Sequence, residues 1–145
     1  RPSSLDDLGL IAALQQYTNE YSLKFGIPVD FQVNGLDDKV LPPETGITFY
    51  RIIQEALTNT VKHSAATKVS VLLASRERSI VAVVEDNGKG FDVEKVFVSS
   101  KSDHKLGLYG MQERAALIGG VVTIESTWMG TTVFVQSPLK GIAGK

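Results

Sequence analysis

Cysteine is missing from the 145 residues, which excludes disulfides, thiolate metal centres and cysteine nucleophiles. An excess of either charge is missing too. Fifteen basic residues against 16 acidic ones leave a net charge of −1, no global field to draw nucleic acid or an anionic membrane. No apolar run approaches the roughly 18 residues of a membrane span. No signal peptide opens the chain, and no internal repeat or low-complexity tract occurs. The first residue is Arg1 rather than methionine, so a piece of a longer protein is expected. What is present, 43% hydrophobic and 21% charged residues, fits one globular domain with a single core.

Helices and strands alternate. Leu5, Leu8, Ile11, Ala12 and Leu14 recur at helical spacing behind a serine or aspartate cap and before Gly26, predicting a helix from Leu5 to Phe25. "VDFQV" alternates as a strand does, closed by Asn34-Gly35. Pro42, Pro43 and Glu44 open a second helix running to about His63. "KVSVLLAS" and "SIVAVVED" flank the charged turn "RERS" as a hairpin. Residues 86 to 106 are irregular, polar and glycine-punctuated, and "GLYGMQERAALIGG" predicts a third helix that starts at its glycines. "VVTIEST" and "TTVFVQS" close the fold around Trp128, Met129 and Gly130, before Pro138 and the tail "KGIAGK". Three helices and about five strands in this order predict one sheet with helices on one face, an α/β two-layer sandwich.

On the second helix, Phe49, Ile53, Ala56, Leu57 and Thr60 share an arc suited to packing on the sheet. Glu55, Asn59 and His63 follow at i, i+4 and i+8 along one edge of it, with Lys62 beside them. A carboxylate and an amide oxygen suit a hard cation such as Mg2+; a solvated edge with i,i+4 polar pairing is the plain alternative. "EDNGKGF" ends a strand in acids and feeds a glycine turn. A carboxylate there can accept from an exocyclic amine, and the glycines let a planar base approach the backbone. "LGLYGM" puts two glycines at a helix start, where free N–H groups form a cradle for phosphate. Each run alone is also a common turn signal. Neither a P-loop nor a G-x-G-x-x-G after a strand occurs.

The order "QEALTNTVKHS", "EDNGKGF", "LGLYGMQERAALIGG" and "GTTVFV" resembles the catalytic and ATP-binding domain of bacterial two-component sensor histidine kinases. The phrases "RPSSLDDLGLIAALQQY" and "GMQERA" are similar to the nitrate-sensor type in particular. The resemblance covers residues 1 to 139 and leaves 140 to 145 as a flexible tail. It implies the Bergerat fold, a mixed sheet of about five strands under three helices. It also implies ATP and Mg2+ as ligands.

By this resemblance Asn59 is the metal ligand, and Glu55 is the catalytic acid one turn earlier, which polarises the reacting group. Lys62 and His63 are the cationic pair that faces the phosphates. Asp86 bonds the adenine amino group, while Gly88 and Gly90 shape the base pocket. Gly107, Leu108 and Gly110 form the second glycine box over the phosphates, and Thr131 helps hold adenine. Lys105 and Trp128 stand where the subfamily usually has glycine; Trp128 is expected to be a surface or packing residue.

A phosphoacceptor histidine is expected in a separate dimerising helical hairpin. Neither His63, followed by Ser64, nor His104 has its context, and His104 is expected to be a solvated loop residue. Residues 92 to 106 are expected to be a mobile ATP lid, with Phe97 its transient anchor. The partners implied are that helical domain in a homodimer and, through it, a response regulator, with no nucleic acid and no membrane contact by this domain. The implied location is cytoplasmic, with membrane anchorage of the parent left open. The alternatives are a nucleotide-sensing module of the same fold without phosphotransfer, and an anti-sigma-factor-type serine kinase.

Overall fold

The computed structural model describes residues 3–37, 41–99 and 102–139. Ser100 and Lys101 of the expected lid, and the expected tail at 140–145, lie outside the described residues, as do the side chains that would cap the first helix. The elements run α1 (Ser3–Phe25), β1 (Val29–Asn34), α2 (Pro43–Asn59), a π-helical turn (Thr60–Ser64), β2 (Val69–Arg76), β3 (Ser79–Asp86), α3 (Val93–Val98), α4 (Asp103–Leu117), β4 (Val121–Thr127) and β5 (Gly130–Pro138).

The strands form one sheet in the order β1-β2-β3-β5-β4. β1 and β2 are parallel and connected through α2, whereas every other neighbouring pair is antiparallel. The mixed sheet follows from the sequence, since a parallel pair needs a long crossover and antiparallel pairs take tight turns. Because side chains alternate across a strand, Val69, Val71 and Leu73 of β2 point to one face. Ile80, Ala82 and Val84 of β3, with Val133 and Val135 of β5, point the same way, and all are buried.

Helices cover that face. α2 lays Phe49, Ile53, Ala56, Leu57 and then Thr60 against it, all buried. α1, kinked at Gly9 (φ 88°, ψ 175°), adds Leu10, Ala13, Leu14 and Tyr21, and the Tyr21 hydroxyl donates to the Leu57 carbonyl at 2.9 Å. α4 adds Leu108, Met111 and Ala115, a stripe at i, i+3 and i+7.

Two expectations change. The stretch read as irregular holds α3, opened by Asp92, whose side chain accepts from the Lys95 N–H. α4 begins at Asp103 rather than at Gly107, with Ser102 as its cap accepting from the Lys105 N–H. Each glycine weakens a helix by about 1 kcal/mol relative to alanine. The burial of Leu108 and Met111 on the core outweighs that, so the helix runs through Gly107 and Gly110.

Candidate active site

Of the two acids that end β3, alternation turns Glu85 to solvent and Asp86 inward, where it is 7% exposed. Four donors converge on its carboxylate. The N–H groups of Gly88 and Thr131 reach Oδ1 at 2.9 and 3.2 Å. The hydroxyls of Thr60 and Ser64 both reach Oδ2 at 3.1 Å. A buried carboxylate demands such pairing, and these bonds join the π turn after α2, the glycine loop, β3 and β5 at one point.

The glycine loop fits because it lacks side chains. A Cβ at Gly88 would collide with the backbone carbonyl of Ser64, and one at Gly90 (φ +75°) with that of Thr127. The loop is also tied down by Lys89 N–H to the Ser64 carbonyl at 2.8 Å and by Phe91 N–H to Ser126 Oγ at 2.8 Å. Asn87 clamps it from outside. Its side-chain oxygen accepts from the N–H groups of Thr67 and Lys68 at 2.9 and 3.1 Å, and its amide donates to Thr67 Oγ1 at 2.8 Å.

Glu55 and Asn59 sit one turn apart on α2, and the first turns of α4 lie across them. A Cβ placed at Gly107 would stand 2.5 Å from Glu55 Oε2 and 3.5 Å from Asn59 Oδ1. Asn59, Asp86, Leu108 and Thr131 line one small enclosed cavity of about 10 Å3, room for about one water molecule. Phe91 and Ile124 form part of its wall.

The histidines depart from expectation. His104 is not a solvated loop residue. It lies in the first turn of α4, stacked on His63 with ring centroids 3.9 Å apart and planes 12° off parallel. Phe91 packs edge-on to His104 at 4.3 Å. The Nε2 atoms of both rings are buried without a hydrogen-bond partner. Burial, and then the charge of Lys62, hold His63 below the usual imidazole range. Burial, and then His63, push His104 down to about 4.

The structure therefore brings together Glu55, Asn59, Asp86, Gly88, Gly107, Leu108 and Thr131, with His63 adjoining. It does not bring Lys62 into this group. Lys62 is exposed and faces a groove between α1 and α2 lined by Tyr17, Tyr21 and Phe25. Gly90 edges a separate open cleft with Phe91, Glu94 and the 82%-exposed Trp128. Gly110 faces open space inside α4. The N–H groups of the second glycine box are not at a helix start, because the first turn of α4 precedes them. Sequence reasoning missed Thr60, Ser64, Asn87 and His104. Thr60 was hidden by its place on the apolar arc of the helix, and Ser64 by its place at the helix end.

Sheet order, helix layer and a buried aspartate at the mouth of the glycine loop define a Bergerat-fold domain. The Erythrobacter litoralis EL346 blue-light activated histidine kinase domain shares this fold, with a TM-score of 0.69 over 92% of this chain and 66% of that one at 22% identity. So does the Acinetobacter baumannii histidine kinase AdeS, with a TM-score of 0.67 over 90% and 63% at 12% identity. The chain belongs to the family of histidine kinase-, DNA gyrase B- and HSP90-like ATPases, which it matches over residues 44–141. Among named proteins it is similar to sensor histidine kinases. It is 37% identical to the signal transduction histidine-protein kinase/phosphatase DegS of Bacillus subtilis, over 96% of this chain and 36% of that protein. It is 39% identical to the oxygen sensor histidine kinase NreB of Staphylococcus carnosus, over 96% and 39%. The chain thus spans little more than a third of these relatives. Among the described residues no helix is long and apolar enough to cross a membrane.

Proposed function

We propose that this domain binds ATP with Asp86 reading adenine, and that it transfers the γ-phosphate to a histidine on a separate helical domain of the same parent protein. The observation that carries the proposal is the Asp86 carboxylate, buried at the wall of the cavity that also contains Asn59. Its Oδ1 is held by two backbone N–H groups that cannot turn, and its Oδ2 by two hydroxyls that can. Oδ2 is therefore the oxygen open to the amino group of adenine, and Thr60 and Ser64 are rotors that make room for it. Guanine would offer a carbonyl oxygen to the same acceptor.

Glu55 and Asn59 supply a carboxylate and an amide oxygen, the donor types that fit Mg2+. Asn59 would hold the ion, which when bound neutralises phosphate charge. Glu55 would accept the ring proton of the attacking imidazole, leaving its other nitrogen to take the phosphoryl group. Positioning supplies most of the remaining catalysis. The partners of this scheme are the dimerising phosphoacceptor hairpin and, through it, a response regulator, in the cytoplasm. The test is to mix the chain with such a hairpin and γ-labelled ATP. Acid-labile label on the hairpin histidine supports the proposal, and nucleotide binding without transfer would reduce the domain to a sensing module.

A further inference from the structure

The nucleotide site is closed by the chain's own residues. The cavity beside Asp86 holds about 10 Å3, against about 300–1,000 Å3 for an ordinary small-molecule pocket. Leu108, 1% exposed, forms one wall of it. Next to it the backbone of Gly107 lies over Glu55 and Asn59 so closely that a Cβ there would stand 2.5 Å from Glu55 Oε2 and 3.5 Å from Asn59 Oδ1, on the side where the proposed metal and triphosphate would lie. What stands in the way is the start of α4.

That start is weakly held. Ser102 Oγ caps Lys105 N–H at 3.2 Å, and the Ser102 carbonyl accepts from Leu106 N–H at 3.0 Å. Lys105 Nζ reaches the Ser99 carbonyl at 2.9 Å. The apolar side chain of Leu106 is half exposed, so in this turn only His104 packs inward, against His63 and Phe91. Even that contact leaves two buried Nε2 atoms unpartnered, a penalty that opening would relieve. Two glycines follow in the next turn, and glycine is a poor helix former.

Unwinding has a definite product. In an α-helix the N–H groups of residues 107 to 110 bond to the carbonyls of residues 103 to 106. If the turn 103–106 unwinds, the helix begins at Gly107 and those four N–H groups become its unsatisfied first four, the arrangement that binds anions. We propose that the first turn of α4 is a self-inhibitory plug, latched by the His63–His104 stack. Nucleotide enters by unwinding it, which moves the helix start from Asp103 to Gly107 and hands the freed N–H groups to the phosphates.

The proposal rests on the nucleotide site described above, and its test separates the two. A non-hydrolysable ATP analogue with Mg2+ is titrated calorimetrically into the chain and into His104→Ala, Ser102→Ala and His104→Phe variants, and residue-resolved amide exchange is measured with and without it. Because closure competes with binding, loosening the plug raises the fraction of competent protein. His104→Ala and Ser102→Ala should each tighten binding by about three- to tenfold, while His104→Phe, which can still stack, should not. The amides of Lys105 and Leu106 should exchange faster in the bound state, the reverse of ordinary ligand protection. Binding with those amides still protected, unchanged affinity in both loosened variants, or tightening in His104→Phe equal to that in His104→Ala would overturn the plug and leave the nucleotide site standing. No binding by any of the four proteins would remove the site itself, and the plug with it.

Discussion

Ser64, the last residue of the π turn, donates its hydroxyl to Oδ2 of Asp86, the last residue of β3, at 3.1 Å. Twenty-two positions apart in sequence, they bind the end of the polar helix to the end of a central strand. The same serine's carbonyl holds the glycine loop through Lys89 N–H. The carboxylate proposed to read the base and the helix proposed to hold the metal are therefore mechanically one piece, and the first prediction concerns its centre. Asp86→Asn keeps the shape but replaces one acceptor oxygen by a donor. A hydrogen bond to a charged group contributes roughly 1.5–3 kcal/mol, so ATP affinity should fall about tenfold or more. Calorimetry reads this directly; equal ATP affinity in the variant, or GTP bound as well as ATP, contradicts the assignment.

Asn59, the proposed metal ligand, should separate metal from base. Asn59→Ala should weaken Mg-ATP more than metal-free ADP, because its amide oxygen is assigned to the ion. Thermal melting of the variant without ligand supplies the control, with an expected change below about 1 kcal/mol for a half-buried side chain at the helix edge. Equal losses for both nucleotides would make Asn59 a structural residue.

Two glycines should respond oppositely to the same substitution. Gly88→Ala puts a methyl group into the Ser64 backbone and should destabilise the fold by about 1–3 kcal/mol, the usual range for overpacking. Gly110→Ala meets nothing within 4 Å and lies inside α4, so it should stabilise by about 0.5–1 kcal/mol. Urea unfolding of the two variants checks both signs.

Acid should loosen the histidine stack. In the folded chain His104 takes its proton only near pH 4, whereas an unfolded histidine takes it near pH 6.5. Between those values the unfolded chain holds more protons, so stability is full above about pH 6.5 and falls as the pH drops toward 4. His63, also lowered, acts in the same direction. Melting temperatures at pH 7 and pH 5 should differ more for the natural chain than for His104→Phe. An identical drop in both would assign the acid sensitivity to carboxylates elsewhere.

The sheet and the two long helices were legible in the sequence because their signals are local. "VSVLLAS" and "SIVAVVED" are apolar runs rich in valine on either side of a charged turn, α2 carries an apolar arc, and Gly26 stops α1. The start of α4 was not legible, because Gly107 and Gly110 read locally as a helix end. Only the tertiary burial of Leu108 and Met111 keeps them helical. His104 was misread for the same reason, since nothing near it in sequence shows that His63, 41 positions away, supplies a ring to stack on. Asp86 was found from its place at the end of a strand. Its two hydroxyl partners were not, because Thr60 reads as part of the core arc.

The π turn from Thr60 to Ser64 bears on this last point. A π turn is an α-helix with one residue too many, and it resets the angular phase of whatever follows. Glu55 and Asn59 are set in the phase of α2, and Ser64 in the phase after the insertion. One continuous rod can therefore present oxygen donors to one wall of the site and a hydroxyl to another. Deleting a single residue within the turn would restore a regular helix and swing Ser64 and its carbonyl by about 100°. Asp86 would lose a partner and the glycine loop its anchor, with every side chain of the site still present in the sequence.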